Sequence, residues 1–347
     1  MLEPGLDVKR RPAYNHVQML LAGDVGGTKT LMGLFARGES RPAAVEERVY
    51  RTLDFPDFGA LTLQFLKDTS TAAADIEVAS FGVAGPVAGT VARLTNVPWV
   101  VDLAALRRRV PVRSAHLLND LEALAWSIPV LEEREIDVLY EGQADPGGNA
   151  ALIAAGTGLG IALLPNIGGR FVPKASEGGH ADFAPRRPLE QVLASALIGE
   201  FGRAEIERVI SGPGIAHIHR VLYPHQCQTL TPMPPTDNLP AAISYAALEA
   251  GCVSCTHTLE LFVSAYGASA GNLALTTLST AGLYLGGGIA PRILPALRWP
   301  MFLEAFLDKA PMNDLISRVP VKVIVNPGAG LLGAATHAQH VAERSSS

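Results

Sequence analysis

The chain has 347 residues, 48% hydrophobic and 18% charged, enough apolar material for about two domains of roughly 150 residues each. A net charge of −5 gives no electrostatic case for a nucleic acid or an anionic membrane, and three cysteines are too few for a disulfide framework. The N-terminal stretch lacks the apolar core of a signal peptide, so a reducing cytoplasm is the expected compartment.

Residues 1–19 read as a polar, basic leader, expected to be disordered. The first strong strand is Gln18 to Ala22, ending at Gly23-Asp24, with a glycine turn and a second strand over Leu31–Phe35. Helical spacing of Phe58, Leu61, Phe65 and Leu66 predicts a helix over 57–67. Strands are expected at Ile76–Gly82 and Val87–Leu94, a short helix over Asp102–Arg109 with Asp102 as N-cap, and a short strand His116–Leu118 running into Asn119-Asp120 and a helix. The second half repeats the opening device: strand Ala150–Ala155, a Gly/Thr turn, strand Leu159–Leu164. Helical patterns then cover 189–209, 213–222 and 240–266. A buried strand, Leu283–Leu285, leads to three glycines and a helix; a last strand, Val321–Val325, precedes a last helix over 328–342. Two uncharged stretches, Gly147–Gly169 and Leu261–Pro291, are too broken by Gly, Thr, Ser and Asn to span a membrane and suit buried strands instead. The repeated hairpin suggests two related α/β lobes, each offering a glycine turn to a shared cleft.

Three glycine turns have phosphate-friendly chemistry. In Gly23-Asp24-Val25-Gly26-Gly27-Thr28-Lys29 the glycines let backbone N–H groups approach an anion, and Thr28 and Lys29 add a hydroxyl and a cation. Asp24 is placed to hold Mg²⁺, directly or through water. A β-type run follows instead of a helix, so this is a hairpin turn and not a P-loop. Gly156-Thr157-Gly158 is a second such hairpin, and Gly286-Gly287-Gly288 offers close access to a flat base or ribose. Each also reads as an ordinary tight turn.

Asp120 stands where a strand becomes a helix, a position that suits a general base and equally an N-cap. Asn119 offers a donor and an acceptor to a pair of sugar hydroxyls. Glu177 and His180, separated by two glycines, can wrap a small polar ligand; further ligands for a metal are missing from that loop. Glu207 alone reads as a solvated helical carboxylate. Cys252 and Cys255 form a lone CxxC inside a helical pattern and read as structural thiols, with no zinc site expected. Arg107-Arg108-Arg109 reads as a solvated helix end.

From about Leu20 to His340 the chain resembles the bacterial glucokinase family, the non-ROK branch of the sugar kinase/actin superfamily. The matching strings are GDVGGT (23–28), LTNVPW (94–99), LNDLEA (118–123), AAGTGLG (154–160), EGGHADFAP (177–185), ERVISGPG (207–214), GNLAL (271–275), GGGIAPR (286–292) and NPGAGLLGAA (326–335). The resemblance implies a two-lobed actin-like ATPase (ribonuclease H-like) α/β fold, with a small domain over 20–130 plus 328–347 and a large one over 131–327. It implies transfer of the γ-phosphoryl group of ATP to the 6-hydroxyl of glucose, with Mg²⁺, by a cytoplasmic homodimer that binds neither nucleic acid nor membrane. Asp120 becomes the catalytic base; Asn119, Glu177, His180 and Glu207, with Asn96, become glucose ligands. Asp24, Gly26, Gly27, Thr28, Lys29, Gly156, Thr157 and Gly158 become phosphate-binding, and Gly286, Gly287 and Gly288 hold the adenosine. The sequence departs from the family at Lys29, where Asn is common, and at Lys174-Ala175-Ser176, where Pro-Gly is usual. It also lacks the cysteine-rich zinc motif of the ROK branch. A kinase for another hexose and a non-catalytic sugar-binding regulator on the same fold are the rival readings.

Overall fold

A computed structural model describes residues 18–94, 97–224, 227, 230, 235 and 238–346. The expected leader, apart from Gln18 and Met19, and the candidate Asn96 lie outside the described residues. The chain divides into two compact units: one runs to Leu117 and resumes at Ala335, the other is Leu118–Ala334. The boundaries expected from the sequence, at 130/131 and 327/328, both fall inside this second unit.

The first unit is built on strands β1 (Met19–Val25), β2 (Lys29–Ala36), β3 (Ala43–Arg51), β4 (Ile76–Val83) and β8 (Ser114–Asn119), in the order β3-β2-β1-β4-β8. β1 pairs antiparallel with β2 and parallel with β4, so both its edges are filled and most of its residues are buried. β3 alternates exposed and half-buried residues along the sheet edge, as its sequence AAVEERVYR dictates. The expected strand over Val87–Leu94 divides into β5 (Val87–Ala88) and β6 (Val91–Arg93), which form a small sheet with β7 (Val100–Asp102). Helix α1 (Phe58–Asp68) starts where Asp57 accepts the Ala60 N–H at 2.7 Å, and α2 (Leu103–Arg109) where Asp102 accepts the Ala104 N–H at 2.8 Å.

The second unit carries α3 (Asp120–Ser127), β9 (Ile136–Tyr140), β10 (Ala150–Ala155), β11 (Leu159–Leu164), the hairpin β12 (Asn166–Ile167) and β13 (Arg170–Phe171), and β14 (Lys174–Ser176). There follow α4 (Pro188–Phe201), α5 (Gly212–Leu222), α6 (Leu239–Leu248), α7 (Val253–Thr277), β15 (Gly282–Gly286), α8 (Leu294–Leu297), α9 (Pro300–Leu307), α10 (Asn313–Ile316) and β16 (Val321–Ile324). Its six-stranded sheet has the order β14-β11-β10-β15-β16-β9. β10 is antiparallel to β11 and parallel to β15, which is the relation of β1 to β2 and β4. The hairpin echo in the sequence is therefore a repeated sheet plan, that of the actin-like, ribonuclease H-like α/β fold. The last helix, α11 (Ala329–Ser346), begins in the second unit and ends in the first.

Two expected helices are shorter than their periodicity suggests. The pattern over 189–209 stops at Phe201 because Gly202 turns left-handed at φ 80°. The pattern over 240–266 breaks at Gly251, φ 64°, so α6 and α7 are separate and Cys252 caps the second of them. Among the described residues no helix is long and apolar enough to cross a membrane. α7 is instead packed inside its unit, where Tyr266 donates to the Ile153 carbonyl at 3.1 Å.

Candidate active site

At the β8–α3 junction the cap is Asn119 and not Asp120. The Asn119 side chain accepts the Glu122 N–H at 2.6 Å, which occupies the acceptor that the sequence reading offered to a sugar and leaves the amide NH₂ as donor. Asp120 begins the helix, with its carboxylate accepting the Leu121 N–H at 2.9 Å. Solvent reaches Asp120, yet the surrounding protein desolvates its carboxyl and raises its pKa above the usual carboxylate range, against the pull of the Leu121 N–H. Glu122 is raised likewise by burial, partly offset by Lys174.

Helix α3 is fixed against β11 by the absence of a side chain there: a Cβ on Gly160 would stand 2.9 Å from the Leu121 side chain. The same strand seats the Glu177–His180 turn, since a Cβ on Gly179 would lie 2.0 Å from the Leu159 carbonyl oxygen. It also holds Glu207, whose carboxylate accepts the Leu159 N–H at 2.9 Å. Glu207 is thus half-buried and positioned, where the sequence alone read a solvated carboxylate. His180 Nδ1 lies 3.1 Å from Glu205, which also accepts from Arg208 at 3.0 Å. Ligand atoms of His180, Glu205 and Glu207 all lie within 4.8 Å of one another. Glu205 was not among the sequence candidates; its only signal was the spacing Glu205-x-Glu207. Glu177 is exposed at the start of the turn.

The two glycine turns of this unit meet directly. Gly156 is held by the Gly158 carbonyl at 2.8 Å and in turn accepts the Gly212 N–H at the start of α5, also at 2.8 Å. Ile289 N–H donates to the Ala155 carbonyl at 3.2 Å, which docks the 286–288 turn on the end of β10. The helix expected after the glycines opens as a 3-10 turn, Ala290–Ile293, that runs directly into α8. Beside these turns lies a cavity of about 1150 Å³ whose lining includes Gly156, Thr157, Gly212, Tyr245, Gly288 and Arg292. In the first unit the turn after β1 is closed by Gly26 N–H to the Lys29 carbonyl at 3.1 Å and braced by the Thr52 hydroxyl on the Gly26 carbonyl at 2.7 Å. Asp24 is half-buried there, and Thr28 and Lys29 are exposed.

The family model for glucokinase matches residues 21–341. The chain belongs to the glucokinase family. It is 40% identical over 341 residues to the glucokinase of Synechocystis sp., a match covering 91% of this chain and 96% of that one. It is 32% identical over 317 residues to that of Yersinia pestis, covering 91% and 95%. Among solved structures it is similar to a glucokinase from an Antarctic psychrotroph, with a TM-score of 0.82, 29% identity and coverage of 93% and 99%. A ROK-family glucokinase from Streptomyces griseus, solved with glucose and AMPPNP, shares the fold at a TM-score of 0.60 and 20% identity. As a family member the protein is an ATP-dependent hexose kinase that phosphorylates glucose.

Proposed function

We propose that the glucokinase reaction runs on Asp120 as general base, with the glucose hydroxyls held by Asn119, Glu177, His180 and Glu207, and Glu205 orienting His180. The observation that carries this reading is the state of Asp120: reachable by solvent, yet desolvated enough to favour accepting a proton. The 6-hydroxyl proton passes to the Asp120 carboxylate as the sugar oxygen bonds to the γ-phosphorus and the bond to the ADP oxygen breaks. Adenosine lies in the cavity beside Gly286–Gly288, with the Gly156–Gly158 turn donating backbone N–H groups to phosphate. The turn over Asp24, Gly26, Gly27, Thr28 and Lys29 supplies further phosphate contacts. Asp24 fits magnesium, since a half-buried carboxylate is a hard oxygen donor. The ion, when bound, neutralises charge on the phosphate oxygens. A cytoplasmic homodimer completes the proposal, and light scattering on the purified protein decides the dimer.

Asp120→Asn is the test. It keeps the shape and removes the base, so kcat should fall by at least ~10² while glucose affinity by calorimetry stays within about tenfold. Turnover near that of the unsubstituted protein would remove Asp120 from the chemistry. A panel of hexoses in an ADP-release assay, with kcat/KM highest for glucose, checks the acceptor.

A further inference from the structure

The three cysteines come together at a place the reaction does not use. Cys227 Sγ lies 3.0 Å from Cys252 Sγ and 3.5 Å from Cys255 Sγ. A ring nitrogen of His219 and the sulfurs of Cys227 and Cys255 all lie within 4.8 Å of one another. All four side chains are buried. In the sequence only a lone CxxC in a helical pattern is visible. The structure puts that CxxC at a helix start, with Cys252 as the cap of α7, where the helix N-terminus favours thiolates. It adds two partners from the end of α5 and the chain beyond it.

The histidine is set as a ligand. The Thr258 hydroxyl donates to the Ser254 carbonyl at 2.8 Å, so its contact with His219 Nδ1 at 2.9 Å has the ring N–H as donor. That fixes the tautomer with the lone pair on Nε2. Nε2 is buried and among the described residues has no hydrogen-bond partner, an expensive state for an acceptor in a dry interior. An imidazole whose second ring N–H is held by a hydrogen bond, here by the Thr258 hydroxyl, has the fixed tautomer and orientation that a metal ligand needs.

We propose that His219, Cys227, Cys252 and Cys255 form a closed tetrahedral zinc site. Three soft sulfurs and one imidazole select zinc over magnesium or calcium. Bonds of about 2.3 Å from zinc to sulfur would set the sulfurs about 3.8 Å apart, so the two Cys227 contacts, at 3.0 and 3.5 Å, need to open by less than ~1 Å, while Cys252, which lies outside the close group of His219, Cys227 and Cys255, completes the tetrahedron by a side-chain movement. A Cys227–Cys252 disulfide is the competing chemistry, but it leaves Cys255 and His219 Nε2 without a role. The metal ties Cys227, in the connection between α5 and α6, to the start of α7. His219 also lines the cavity assigned to the nucleotide, so the site braces one wall of that cavity.

The test uses the full chain purified without chelator or metal resin. Elemental analysis should find one zinc per chain, and Cys227→Ser and Cys255→Ser should reduce it to a trace. His219→Cys supplies a fourth thiolate and should keep the metal. Cobalt exchanged into the unsubstituted protein should give thiolate-to-metal charge-transfer absorption and a tetrahedral ligand-field spectrum that changes with His219→Cys. Chelation should lower Tm, and added zinc should restore it. A folded, reduced protein that carries no zinc and takes up no cobalt overturns the proposal. So does an intact mass showing a native Cys227–Cys252 disulfide. Both are read on the unsubstituted protein, whatever the variants do.

Discussion

A base held above the usual carboxylate range loses its ionised form earlier as the solution is acidified. The acid limb of kcat/KM for glucose should therefore lie above the ordinary aspartate value, with activity falling as pH drops through the raised pKa of Asp120. The same shift bears on stability. The native state keeps the Asp120 proton at pH values where the unfolded chain has lost it, so this contribution is full below the unfolded pKa and lost as pH rises through the folded one. At neutral pH the ionised group is a cost, and Asp120→Asn should leave Tm unchanged or slightly higher while activity collapses. A clear fall in Tm would make the residue structural. Glu205→Gln probes the neighbouring cluster: it weakens the hold on His180 and should raise KM for glucose about tenfold, the scale of one charge-assisted hydrogen bond, with little change in kcat. Steady-state kinetics reads both numbers. Glu205 was illegible in the sequence because nothing in a helical Glu-x-Glu pattern says which carboxylate will face a histidine 25 residues away. Asp120 and Asn119 were legible as a pair, but which of them caps the helix depends on a single backbone step.

Two adjacent glycines in the 286–288 turn separate folding from binding. Gly287 has φ 80°, and a Cβ there would stand 2.3 Å from the Ala155 carbonyl oxygen. Gly287→Ala should cost at least ~1 kcal/mol for the left-handed backbone alone and lower Tm visibly. Gly288 is exposed, lines the cavity, and among the described residues a Cβ there meets nothing within 4 Å. Gly288→Ala should leave Tm alone and raise KM for ATP, as calorimetry with an ATP analogue would also show. Equal effects of the two substitutions would remove the cavity from nucleotide binding. At this scale the strands were the most legible part, since fully apolar runs such as Ala150–Ala155 leave little alternative to a central position. Helix ends were less so. Periodicity continues across Gly202 and Gly251, and only the left-handed glycines reveal the breaks.

The first unit depends on residues from both ends of the chain. His337 on α11 lies 2.9 Å from the Ser80 hydroxyl of β4, and Gln339 exchanges hydrogen bonds with Gly38 at 3.1 and 2.9 Å. Burial, reinforced by His116 and His340, depresses His337 to about 3. The unfolded histidine takes a proton near pH 6.5 and the folded one refuses it, so stability is lost as pH falls from there toward 3, on the order of 1.4 kcal/mol per pH unit. His337→Gln should flatten the acid slope of Tm, and an unchanged slope would assign it to other groups. Ala338, fully buried on the same helix, makes the complementary test: Ala338→Asp should abolish amide-exchange protection in β1 and β4. The division of the chain also has a consequence for the order of synthesis. The ribosome delivers β1 to β4 first, but the helix that completes their unit last. Leu118–Ala334 is continuous in sequence and can assemble its core from its own residues, whereas the sheet of β1 to β4 needs a helix encoded beyond the whole of that second unit, so the unit that starts first should be the slower to complete.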